Sequence, residues 1–128
     1  MNTDTRHNPN PYYGGRTYRP FGLSRTELAA WVLERTIEDP DTGCLFWQGA
    51  ANATPNNIYG VIRMGSKNIL VHRLVAEVYH GLSPDQVVDH VISRGCTGLG
   101  LCVNPEHLEP VTQRENVIRG WAARRASA

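Results

Sequence analysis

Cys96, Cys102 and His107 stand close together in the chain, and a distant Cys44 completes a Cys3His quartet. Thiolate and imidazole donors in that number select zinc, which four such ligands close into a tetrahedron. A second set overlaps the first in sequence but differs in chemistry. Asp89 and Asn116 offer a carboxylate and an amide oxygen, hard donors suited to magnesium or manganese. His90 sits beside Asp89, and neither set needs it as a ligand. A free imidazole titrates near neutrality, so it can take a proton from water.

Three cysteines, with no charged-then-apolar leader in the first twenty residues, cannot make a closed disulfide framework. An intracellular, cytoplasmic setting would keep them reduced. They could also be buried small hydrophobes. Against that reading, Cys96 lies in Arg94-Gly95-Cys96-Thr97-Gly98-Leu99-Gly100, which is loop composition suited to wrapping a metal.

A chain of 128 residues has room for one domain. No apolar run approaches the ~18 residues of a membrane span. Net charge is only +1, so bulk charge does not announce a nucleic-acid partner. Its distribution is more suggestive: residues 1–25 carry four Arg against one Asp, and 26–60 carry five acids against Arg35 alone. A basic arm and basic C-terminus around an acidic middle fit a one-sided DNA contact, and equally a solvated surface.

The elements that must hold these residues can be read in outline. Residues 1–23 are turn formers without a period, expected to be a flexible arm ahead of a single domain over 24–128. Ser24 and Glu27 make a capping box that opens a helix to about Arg35, with Leu28, Trp31 and Val32 inward. Asp39 to Gly43 is a turn, Cys44 to Trp47 a strand, and Gly49 to Asn57 a loop. Tyr59–Met64 and Lys67–Val71 predict a hairpin about Gly65-Ser66. Val71, Leu74, Val75, Val78 and Tyr79 have the spacing of a buried helical stripe, ending at Gly81. Val87–Ile92 and Leu108–Val111 predict two strands. Thr112 and Glu115 form a capping box for a helix carrying Asn116, Val117 and Trp121.

Strand, metal-binding loop, strand and helix make a ββα unit of an α+β protein, with its core at about 86–125. Here the chain resembles the HNH nucleases, whose ββα-metal fold clamps one divalent ion between hairpin and helix. It is closer to their zinc-stapled relatives, the His-Cys box homing endonucleases and many small phage HNH proteins. The resemblance covers about Cys44 to Gly120. It is most specific in Cys102-Val103-Asn104-Pro105-Glu106-His107-Leu108-Glu109 and in Arg114-Glu115-Asn116.

That resemblance implies a phage- or bacterium-encoded endonuclease or nickase that hydrolyses DNA phosphodiester bonds. His90 would be the general base, and Asp89 and Asn116 would hold the catalytic Mg2+ or Mn2+. Cys44, Cys96, Cys102 and His107 would hold structural Zn2+. The family's helix ligand lies nine residues past its middle motif position, and nine back from Asn116 is His107. Asn104 competes for that position, but as a turn former before Pro105 it has a plainer role. Neighbours on a regular strand point to opposite faces, so for Asp89 and His90 to reach one site the strand must end or twist there, with Val91 to Gly95 leaving the ladder.

Double-stranded DNA is the expected partner. Arg63, Lys67, Arg73, Arg114 and Arg119 are its candidate contacts, each also readable as a solvated side chain. The sequence leaves open whether the chain is a monomer or a homodimer. The main rival reading is a non-catalytic, zinc-stabilised DNA-binding module.

Overall fold

The computed structural model describes residues 8–14, 22–64 and 66–126. Helix α1 (Arg25–Leu33) starts as its capping box dictates. Ser24 Oγ accepts from the Glu27 amide at 3.1 Å, and Glu27 Oε1 accepts from the Ser24 amide at 2.9 Å. Leu28, Ala29 and Val32 are buried on its inner face. An exposed ion pair of 2.6 Å between Arg25 and Glu77 ties this helix to the next.

Strands β1 (Thr36–Glu38) and β2 (Leu45–Trp47) pair antiparallel across the Asp39 to Gly43 turn. Strands β3 (Ala51–Ala53), β4 (Ile58–Met64) and β5 (Lys67–Leu70) form an antiparallel sheet in that order. The expected hairpin is therefore present, and its Gly65 tip falls outside the described residues. Strands β1 and β3 were not expected. Each is three residues long, too short for alternation to register as a pattern. The flank of β4 has a packing reason for Gly60: a Cβ there would lie 2.5 Å from the fully buried Trp47 ring.

Helix α2 (Val71–His80) is the core helix, with Val71, Leu74, Val75 and Ala76 fully buried. It ends on Gly81, whose φ of 67° is left-handed and free of strain only without a side chain. Tyr79 departs from the expected buried stripe and is 47 % exposed. His72 takes a buried place instead, at 6 % exposure.

Strand β6 (Val87–His90) is shorter than expected. It stops at His90, and residues Ile92–Arg94 form a 3-10 turn closed by Gly95 at φ 101°. The strand thus ends only after His90, so Asp89 and His90 are both paired in the ladder and point to opposite faces. Strand β7 (Leu108–Val111) pairs with it antiparallel, setting Asp89 opposite Glu109 and His90 opposite Leu108. Helix α3 (Gln113–Ala126) follows, with Thr112 Oγ1 accepting from the Glu115 amide at 3.1 Å. Both α2 and α3 pack on the β6–β7 pair.

The described residues form a mixed α+β arrangement of three helices and small antiparallel sheets. Part of the arm expected to be flexible is docked. Asn10 is buried and donates from Nδ2 to the carbonyls of Trp47 and Gly49, both at 2.7 Å. Tyr12 stacks on Phe46 with ring centroids 4.5 Å apart. Two side chains therefore hold residues 8–14 against β2, a pairing that turn-rich composition does not signal. Among the described residues no helix is long and apolar enough to cross a membrane.

Candidate metal centre and adjoining cleft

Cys44, Cys96, Cys102 and His107 are all buried, and their ligand atoms lie within 4.8 Å of one another. They come from four places in the chain. Cys44 leads into β2, Cys96 follows the 3-10 turn, and Cys102 bridges in antiparallel fashion to Phe46. His107 closes a second 3-10 turn, Pro105–His107. The loop is laced to β2 by Trp47 N to Leu101 O at 3.0 Å and Val103 N to Leu45 O at 2.8 Å.

The geometry suits a tetrahedral ion. With Zn–S near 2.3 Å and Zn–N about 2.0–2.1 Å, the tetrahedron has S···S edges of about 3.8 Å and S···N edges of about 3.5–3.6 Å. Cys44 Sγ is 3.8 Å from Cys96 Sγ, and His107 Nδ1 is 3.7 Å from Cys44 Sγ and 3.5 Å from Cys102 Sγ. A disulfide needs sulfurs about 2.05 Å apart, so these thiols are free. Amides of Thr97 and Gly98 donate to Cys44 and Cys96 sulfurs at 3.4 Å each, which favours thiolate. The hydrogen bond from Cys102 lowers the Cys96 thiol well below its ordinary value, while the same contact and burial push Cys102 up. This buried group could hold a metal ion such as zinc.

Asn104 braces this centre and stays off both candidate ligand sets. Its Oδ1 caps the Pro105–His107 turn by accepting from Glu106 N at 2.9 Å, and its Nδ2 donates to Gly43 O at 2.7 Å, next to Cys44. His80, unassigned by sequence, ties the end of α2 to the same turn by donating from Nε2 to Pro105 O at 2.6 Å.

Asp89, His90 and Asn116 border one cleft of about 840 Å³, together with Arg94, Glu109 and Arg119. Asp89 and Glu109 share a face because they are direct cross-strand partners. Arg119, one helical turn beyond Asn116, reaches both from α3. Its Nη1 donates to Asp89 Oδ2 at 2.8 Å and to Glu109 Oε1. These bonds, the one to Asp89 foremost, raise the guanidinium pKa further; Arg119 in turn holds the Glu109 carboxyl below the usual carboxylate range. Arg94 adds a 3.3 Å contact to Glu109.

His90 leaves the strand on the other face. Its ring lies 5.4 Å from that of His72, which is stacked 5.0 Å from Tyr59. Both ring nitrogens of His90 are buried without a hydrogen-bond partner among the described residues. The imidazole thus borders the cleft with its nitrogens closed to water, not open as a base requires.

The candidate DNA contacts divide. Arg63, Lys67 and Arg114 are exposed. Arg73 is turned inward, donating from Nη1 to Gln86 O at 2.9 Å, and Arg119 is engaged by its two carboxylates. These last two tie separate parts of the chain together. Sequence reasoning missed Glu109, the clamp made by Arg119, and His72. The first was recoverable: once Asp89 and the segment ending at Val111 are paired, the register puts Glu109 opposite Asp89.

The chain is similar to Protein 2.8 of Escherichia phage T7, with 34% identity over 92 residues. The match covers 70% of this chain and 57% of that protein, so the chain spans little more than half the length of this curated relative. No protein-family model matches the chain, and no solved structure matches it.

Proposed function

We propose that this chain is a divalent-metal-dependent HNH endonuclease or nickase acting on double-stranded DNA, with β6, β7 and α3 as its ββα-metal core. The observation that carries the reading is the convergence of Asp89, His90 and Asn116 on one cleft beside the Cys3His centre. Zinc would fix the loop between the two strands. The donor set of the cleft, a carboxylate and an amide oxygen, fits a hard ion.

Mg2+ or Mn2+ would supply Lewis-acid charge at the scissile phosphate and leaving oxygen. Asp89 and Asn116 would hold it, once Arg119 releases Asp89 and remains on Glu109. His90 would accept the proton of the attacking water, which requires one ring nitrogen to open to the cleft by side-chain rotation. Hydrogen bonds of this kind often form only with substrate bound. The exposed Lys67 and Arg114 would supply phosphate contacts.

The rival is a non-catalytic, zinc-stabilised DNA-binding module, and the Arg119 clamp on Asp89 favours it. Incubation of zinc-loaded protein with supercoiled plasmid, with and without added Mg2+, separates the two. Metal-dependent nicked or linear product supports the nuclease. A gel shift with untouched plasmid would establish the binding module.

A further inference from the structure

Among the described residues, three buried ring nitrogens on two neighbouring rings have no hydrogen-bond partner, Nδ1 of His72 and both nitrogens of His90, with the Cys96 thiol the nearest polar influence on His90 from the loop. Orphaned polar atoms in a protein interior are rare and costly, so such a group calls for an explanation. The two centroids are 5.4 Å apart with planes at 33°, a separation that one N–H···N bond or one buried water can close. A neutral imidazole offers one donor and one acceptor, so a pair of them can satisfy each other.

The two rings are not equally free to move. His72 stands in the first turn of α2, is 6 % exposed, and is stacked on Tyr59 at 28° between planes. Burial, followed by the nearby His90 and Arg73, lowers its pKa to about 3, so it stays neutral. His90 ends its strand, next to a 3-10 turn, and borders the open cleft.

We infer that His72 is a positioning residue for His90: it engages one ring nitrogen from the α2 side, directly or through one water, and leaves the other for the cleft. This rests on the nuclease reading for its purpose but not for its structural content. A base imidazole is oriented by whatever its second nitrogen binds. In this chain that partner is another buried imidazole and not a carboxylate.

The test uses zinc-loaded, full-length protein labelled with 15N in histidine, with ring signals assigned by single-histidine replacement. Long-range 15N–1H spectra should show His90 in one fixed neutral tautomer. His72→Phe keeps the stack on Tyr59 but offers no nitrogen, so His90 should become a mixture of tautomers. His72→Gln restores a donor and an acceptor and should recover much of the single form. In the plasmid assay, His72→Phe should lower kcat by about tenfold to a hundredfold, the usual cost of losing the partner that orients a functional imidazole, with KM unchanged. An unchanged His90 spectrum in folded His72→Phe would overturn the proposal, as would averaged tautomers in the wild-type protein, which decides the matter even if His72→Phe does not fold. If the wild type leaves plasmid uncut, the nuclease reading falls while the spectra still decide the role of His72.

Discussion

Arg119 donates to Asp89 across the cleft at 2.8 Å, so the carboxylate proposed to hold a metal ion is already held by a positive charge. The guanidinium and a divalent ion would compete for one oxygen. Removing the competitor should ease metal loading. Arg119→Ala should lower the Mg2+ concentration for half-maximal plasmid nicking a few-fold. The ion pairs are partly exposed, so their loss should destabilise the fold by under about 1 kcal/mol. A Mg2+ titration read by gel, beside a thermal melt, checks both. A variant that needs more Mg2+ contradicts the competition.

The Glu109 carboxyl gives the clamp a pH signature. Arg119 lowers its folded pKa, so its contribution is present above the ordinary carboxylate value and is lost as pH falls through the lowered one. Melting curves of wild type and Glu109→Gln should therefore differ at neutral pH and converge in acid. A gap that widens as pH falls would mean that Glu109 is not stabilised in the folded chain.

The Cys3His centre makes a stronger demand. Purified protein should carry about one zinc per chain. Structural zinc in small domains contributes about 10–16 kcal/mol, comparable to or larger than the whole net stability of a domain. Cys102→Ser removes a metal ligand from the loop whose main chain is laced to β2, and should unfold the β6–β7 region. Metal analysis and circular dichroism read the result. A well-folded, zinc-free Cys102→Ser protein would remove zinc from the account.

Asn104 and Asn116 should separate cleanly. Asn104 bonds the turn before His107 and the carbonyl of Gly43 through its two side-chain ends. Asn104→Ala should cost about 1–3 kcal/mol and leave cleavage intact wherever the protein is folded. Asn116→Ala should keep zinc and fold but lose cleavage. If the two outcomes are exchanged, the divalent ion is held from the loop and not from α3.

Much of this architecture was legible because it is written in local chemistry. Ser24 with Glu27 and Thr112 with Glu115 started helices where such boxes must, and Gly81 ended one. The Cys3His group was legible because four soft ligands have few other uses at that spacing. Long-range facts were not. Asn10 docking on Trp47 and Gly49, Arg73 turning to Gln86, and Arg119 folding back on Asp89 each depend on which surfaces meet, and periodicity does not encode that. His72 has no role legible in the sequence for a related reason: on an amphipathic helix, a polar letter in the buried stripe reads as an exception until its neighbours are known.

The central claim is that Asp89, His90 and Asn116 cut DNA, and the most direct measurement compares supercoiled-plasmid nicking by wild type and His90→Ala, both zinc-loaded and in Mg2+. Loss of a general base costs roughly 10²–10⁴ in rate. The account predicts nicking by the wild type, a loss of that size in His90→Ala, and the same zinc content and DNA binding in both. Nicking by His90→Ala within a few-fold of wild type, or none by either protein, would contradict it.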